Sequence, residues 1–452
     1  CCGPRAVLNR PAPGQMPGPS WCRRRVYSEG HGNGEGCKGP FVATPDRQQK
    51  VYRWVAKMTG NWSNEPSIVA LRVSRQLLQD RLFRSQAVAL EDVPTSVEAI
   101  TPAWWTAVLC GAAPGAKVIG QRIVSASKGT HQRHRFQLTY NNKGKAAGFP
   151  EAVFTKSLPT LVTRMIGGYN GTARAEGRFY VKLRPELDIE APVGYHAAFN
   201  RQSLACVNVL EDIVATKNSK FCDFRTHVNR EMAEDMIDLL ARLHGHLYED
   251  PRLDREFRWV ANFADWFRIG AGKMKTEHYT QQAVKQAGDL IPRNIADQQD
   301  RIWPGTIAAA QIHQTGPRCL LHSDVHIGNW YQTGDGAMGL CDWQCLTQGH
   351  WSRDVSYMLS TALAPEDRRT WERDLLRRYL DRLSAAVGEE FAFDQAWNEY
   401  RRQMLHAFWM WTITLCHSPF LPAMQTKETS FKMVSRIATA MSDLDSLSAA
   451  LD

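Results

Sequence analysis

Apolar and polar positions along this chain follow two different periods, and the period changes near residue 228. Between residues 117 and 157 the segments KVIGQRIVSAS, HRFQLTY and EAVFTKS are rich in β-branched and aromatic residues, and the turn sequence NNKGK separates the last two. An antiparallel meander is expected there. Thr101-Pro102 ahead of AWWTAVLC is a good N-cap followed by proline at the first helical position, so a helix is expected to start at this point. GTARAEGRFYVKL has the composition of a helix and CVNVLEDI returns to a strand. Beyond residue 228 nearly every segment has helical spacing, as in NREMAEDMIDLLARLHGHLY. The expected class is α+β: a small lobe, residues 85–213, with an antiparallel sheet and one key helix, then a larger, mostly helical lobe, residues 214–452.

The first 50 residues lack either period. CCGPRAVLNRPAPGQMPGPSWCRRR and the glycine-rich HGNGEGCKGP are full of breakers and read as disordered, either as a floppy tail or as translation extended upstream of the true start. Residues 67–84, SIVALRVSRQLLQDRLFR, have the apolar spacing of one basic amphipathic helix. The net charge of +9 belongs to this region. Of 55 Lys and Arg and 46 Asp and Glu, residues 1–84 hold 14 and 5, which leaves 41 of each in the body. Basicity therefore says nothing about a pocket in the body, and no nucleic-acid partner is favoured. Four of the eleven cysteines lie in the extension; Cys206 and Cys341, in apolar stretches, read as small buried residues of a reduced, cytoplasmic protein. The apolar stretch 405–424 is broken by His406, His417, Ser418 and Pro419, so a core helix is expected and no membrane span.

Residues 322–344, HSDVHIGNWYQTGDGAMGLCDWQ, concentrate the candidate chemistry. Two short extended segments, Trp330 to Gln332 and Met338 to Cys341, are joined by the turn residues Thr333-Gly334-Asp335-Gly336. Such a hairpin places Asp324 and Asn329 at one end and brings Asp342 back beside them. Three oxygen-bearing side chains in that arrangement suit a magnesium phosphoryl-transfer site.

In order along the chain stand the strand lysine of VFTKS, the glutamate of ARAEGRFY, the segment VLEDI at 209–213, H-S-D-V-H-I-G-N at 322–329 and C-D-W-Q at 341–344. With these residues the sequence resembles the aminoglycoside phosphotransferase and choline kinase-like superfamily, small-molecule relatives of protein kinases, and within it the ecdysteroid-kinase-like (CHK kinase-like) branch. The likeness runs over roughly residues 85–450, and the Asp-to-Asn step of five matches the kinase catalytic loop. It implies a bilobal protein-kinase-like fold and a cytoplasmic kinase that uses ATP or GTP with Mg2+. By the resemblance, Asp324 receives the proton of an acceptor hydroxyl, while Asn329 and Asp342 hold the metal. Lys156 meets nucleotide phosphates and is pinned by Glu176. Ser127, Lys128, Gly129 and Thr130 form a phosphate-covering loop, and Val209 and Glu211 a hinge facing adenine. His322 braces the catalytic loop and His326 touches substrate or metal-bound water. Asp354 supports the loop, ordinary N-capping being the alternative.

Two departures from the family pattern stand out. Ser323 occupies a place where the family usually has glycine, and the loop 125–136 contains the single glycine Gly129. The acceptor stays open at this stage. Trp259, Phe263, Trp266, Phe267 and Phe408 to Trp411 either line an apolar pocket or are core, and Glu389, Glu390 and Asp394 do not make the dense acidic lining an aminoglycoside needs. An aminoglycoside or macrolide kinase and a nucleotide-binding pseudokinase remain as alternatives. A metallohydrolase on His322 and His326 lacks a third ligand motif.

Overall fold

The computed structural model describes residues 26–30, 65–129, 131–418 and 423–452. Its sheet layer contains β1 (Val26–Gly30), β2 (Val118–Lys128), β3 (Gln132–Tyr140), β4 (Ala152–Ser157), β5 (Gly194–Asn200) and β6 (Cys206–Glu211), in the order β1-β5-β6-β4-β3-β2. Only β1 runs parallel to its neighbour; the other pairings are antiparallel. The alternation in β3 decides which face is which. Phe136, Leu138 and Tyr140 are buried with Val153 of β4 and Val209 of β6 against Trp104 and Trp105 of the helix Pro102–Leu109. On the opposite face Phe154 packs on the core of the helical lobe. The sheet is therefore covered on both sides, and polar side chains on the second face are directed into the cleft between the lobes.

Sequence and structure differ at four places in this lobe. Val26–Gly30 forms the edge strand β1 although it falls in the stretch expected to be disordered. NNKGK is not a simple turn: Asn141 accepts the backbone N–H of Gly144 and caps a short helix, Asn142–Ala146. β5 had no counterpart in the pattern reading, because GYHAAFN is buried almost throughout and lacks alternation. The helix expected over GTARAEGRFYVKL is α-helical over Thr172–Arg178 and widens into a π-type turn over Phe179–Leu183.

The second lobe is built on helices. Arg230–His246 packs along Pro365–Val387, and Phe393–Leu415 lies between Ser352–Ala362 and Lys427–Asp443. Phe263, Phe267, Phe408, Trp409 and Trp411 are buried in this core, so these aromatic residues build the lobe. Small sheets are inserted in it. β7 (Lys220–Phe221), β10 (Trp330–Gln332) and β11 (Met338–Leu340) form one, and β8 (Ala261–Asn262), β9 (Cys319–Leu321) and β12 (Thr347–Gly349) the other. β10 and β11 pair Trp330 with Leu340 and Gln332 with Met338. No described cysteine is in a disulfide, and no helix among the described residues is long and apolar enough to cross a membrane.

Thr101 joins two parts of the small lobe. Its hydroxyl accepts the Trp104 N–H at 3.1 Å and donates to the Ala87 carbonyl at 2.6 Å. Thr101→Ala is expected to cost about 1–2 kcal/mol, read as a lower urea midpoint at unchanged slope; an unchanged midpoint would show that the cap is dispensable.

Candidate active site

Lys156 leaves β4 on the cleft face, where burial leaves it 3% exposed. Its ammonium donates to Glu176 Oε1 at 2.8 Å and to Asp342 Oδ1 at 2.7 Å. Glu176 comes from the helix Thr172–Arg178 and also accepts from Asn208 Nδ2 at 3.3 Å. Burial disfavours charge on Lys156, but the facing Asp342 and Glu176 carboxylates outweigh it and hold the ammonium above its ordinary range. At Asp342 burial is likewise outweighed, by Lys156 first and then by His131 and Arg133, and the carboxyl is held well below its usual range. At fully buried Glu176 burial wins, and the carboxyl is pushed up.

Asp342 reaches this point because the chain turns sharply: its φ is +64°, left-handed backbone that favours glycine and that few other residues adopt. The next residue, Trp343, is locked between two rings. It stacks on Phe179 with centroids 3.8 Å apart and meets His322 edge-on at 4.6 Å. Phe179 follows Glu176 by three residues, so one turn of helix fixes both the lysine's partner and the tryptophan behind Asp342.

The loop at 322–329 is held from beneath. Asp354, fully buried in the first turn of Ser352–Ala362, accepts the backbone N–H of His322 at 2.7 Å and of Ser323 at 3.0 Å. It does not cap its own helix. His244 stands behind it, with Nε2 3.5 Å from Asp354 and Nδ1 2.7 Å from the Tyr379 hydroxyl. Ser323 has φ +67°, which accounts for the glycine usual at this place in the family; its hydroxyl meets Thr347 Oγ1 at 2.5 Å. His322 spends both ring nitrogens inside the loop, Nε2 on the Cys341 carbonyl at 3.0 Å and Nδ1 on the Asp324 N–H at 3.2 Å. It is buried, and burial lowers its pKa.

Asp324 is oriented at both oxygens. Oδ1 accepts the Tyr357 hydroxyl at 3.1 Å and Oδ2 the Asn329 amide at 3.3 Å. Asn329 also donates to the Asp324 carbonyl at 2.7 Å, which leaves its amide oxygen as its remaining donor atom for a metal. The Cys341 N–H bonds the Asn329 carbonyl at 2.9 Å, so Asn329 and Asp342 sit at the same end of the hairpin. Hard oxygens from an amide and a carboxylate fit a magnesium ion that takes its remaining ligands from phosphate and water. His326 accepts the Gly328 N–H on Nδ1 at 3.0 Å, places Nε2 3.9 Å from Asp324 and leans on the edge of Trp411.

Other sequence-chosen residues stand apart from this centre. Val209 is fully buried inside the sheet, paired with Thr155 on one side and His196 on the other, so its backbone belongs to the strands and presents no free edge to adenine. Glu211 turns its carboxylate to the Val193 N–H, the Thr216 hydroxyl and Lys217, and its backbone N–H to the Val193 carbonyl at 2.8 Å. Ser127 and Lys128 end β2, the Gly129 N–H is spent on the His131 carbonyl at 3.0 Å, and Thr130 lies outside the described residues. Tyr357, Asn208 and Arg133 were missed by the sequence reading. Only Tyr357 carried a local signal: it lies three residues after Asp354, on the same helical face.

Asp354→Ala would strand two buried backbone amides and is expected to destabilise the protein by about 2–5 kcal/mol. Burial alone would raise the Asp354 carboxyl; the His244 hydrogen bond and the Arg353 charge outweigh it and hold it below its ordinary value. Its stabilisation is therefore complete above about pH 4 and fades as pH falls through the lower folded value. The gap between wild type and variant in urea unfolding should narrow below pH 4; a gap that widened there would contradict this.

Among solved structures the chain is similar to Plasmodium vivax ethanolamine kinase, with 12% identity, TM-score 0.40, 72% of this chain and 81% of that one covered. It is also similar to the choline kinase LicA of Streptococcus pneumoniae, with 13% identity, TM-score 0.38, 73% and 94% covered. A gentamicin complex of APH(2")-IIa gives 13% identity, TM-score 0.41, 72% and 94% covered. No curated protein matches the sequence. The model of the phosphotransferase enzyme family matches residues 161–397, a span that contains Glu176, the 322–329 loop, Asp342 and Asp354. This chain belongs to the phosphotransferase enzyme family.

Proposed function

We propose that this protein is a magnesium-assisted small-molecule kinase that moves the γ-phosphoryl group of ATP or GTP to an acceptor hydroxyl. The observation that carries the reading is the convergence of Lys156, Glu176 and Asp342 in the cleft, with Asp324 oriented on the adjoining loop by Tyr357 and Asn329. In this reading residues 85–213 bind the nucleotide and residues 214–452 carry the catalytic loop and the acceptor.

Lys156, pinned by Glu176, presents its ammonium to phosphate oxygens. Asn329 and Asp342 hold magnesium, which neutralises phosphate charge when bound. Asp324 accepts the proton of the acceptor hydroxyl as the new O–P bond forms and the bond to the leaving diphosphate breaks. Its two anchors, Tyr357 and Asn329, keep the carboxylate aimed. His322 and Asp354 act through the loop backbone.

A cavity of about 360 Å3 opens beside His326 and Gly328, with Asp223, Phe224, Arg225 and Glu428 in its wall. Arg225 pairs with Glu428 through two contacts of 2.9 Å, which neutralises much of the acidic lining. Such a wall suits a small alcohol with polar and apolar parts better than a polycationic aminoglycoside. Glu389, Glu390 and Asp394 are exposed and outside this wall.

Turnover of ATP with a panel of small hydroxylated compounds tests the reading. Asp324→Ala should keep nucleotide binding and lose turnover by about 10²-fold or more, and Asp342→Ala should lose magnesium-dependent thermal stabilisation by ATP. Full turnover in Asp324→Ala would end the mechanism.

A further inference from the structure

The sheet carries a second cation beside Lys156. Antiparallel pairing of β3 with β4 sets Arg133 directly opposite Lys156, so both side chains leave the sheet on the cleft face. Arg133 Nη2 lies 3.7 Å from Asp342 Oδ2, while Lys156 holds the other oxygen of the same carboxylate. At 3.7 Å this is an ion pair and not a hydrogen bond. The other side of the guanidinium rests on the turn between β2 and β3, where a Cβ built on Gly129 would meet Arg133 Nη1 at 3.2 Å. Arg133 is 32% exposed, whereas Lys156 is 4% exposed by the same side-chain measure.

The turn has one glycine, and that glycine's N–H is spent on the His131 carbonyl. A guanidinium with five donors in a planar fork is suited to phosphate oxygens, and a carboxylate that passes to a metal ion releases both cations that faced it.

We propose that Arg133 is a phosphate-binding residue that grips the triphosphate of the nucleotide together with Lys156, in place of a glycine-rich loop. This rests on the kinase reading above. Arg133 and Lys156 share Asp342 in the structure; with Asp342 given over to magnesium, both cations would be left to face phosphate oxygens.

Calorimetric titration of wild type, Arg133→Ala and Arg133→Lys with magnesium-ATP, ADP and adenosine tests this. Arg133→Ala should weaken ATP by roughly 10- to 100-fold and leave adenosine unchanged, with partial recovery of ATP affinity in Arg133→Lys. Retained adenosine binding also reports an intact fold. Equal ATP affinity in wild type and Arg133→Ala would overturn the assignment of Arg133 alone, and so would equal losses for ATP and adenosine. Wild type that binds neither magnesium-ATP nor magnesium-GTP would overturn the kinase reading and this one with it.

Discussion

A lysine ammonium with almost no access to water is tolerable only while carboxylates face it, and the two that face Lys156 come from different parts of the chain. Glu176 follows it by 20 residues on the neighbouring helix; Asp342 lies 186 residues away in the other lobe. An uncompensated buried charge costs roughly 3–5 kcal/mol, so the Asp342 carboxylate ties the second lobe to the buried Lys156 ammonium of the first.

The support behind these charges is built from backbone as much as from side chains. Asp342 and Ser323 both take left-handed φ values, a strain of roughly 1–2 kcal/mol each for a non-glycine residue. Each is over-determined by its surroundings. Trp343 is clasped by Phe179 and His322, and the Ser323 N–H is held by Asp354. The tryptophan in the DWQ sequence thus joins the Glu176 helix to the 322–329 loop through one stacked and one edge-on ring contact, which neither partner's sequence neighbourhood announces.

What the sequence made legible was local. The hairpin of β10 and β11 follows from two short apolar runs around Thr333-Gly334-Asp335-Gly336, and the cap at Thr101 from a two-residue signature. What it hid depends on distant partners. β5 is covered on both of its faces and so loses the alternation that marks a half-exposed strand. β1 pairs with residues some 170 positions away, which no window along the chain can register. Arg133 looks like one more basic residue in QRHRF until β4 is laid beside β3 and Lys156 falls opposite it. Within VLEDI, Val209 is interior to the sheet, a placement that only its pairing with Thr155 and His196 reveals.

The position of β1 has a practical side. It covers the outer margin of β5, and without it the Gly194–Asn200 backbone would offer an unpaired ladder of N–H and C=O groups along most of its length. A shortened version of the chain starting at Pro66 would carry that bare margin, a template onto which another molecule's strand can add. Val26–Gly30 thus closes that margin of the sheet, and trimming the poorly patterned N-terminal stretch would leave it open.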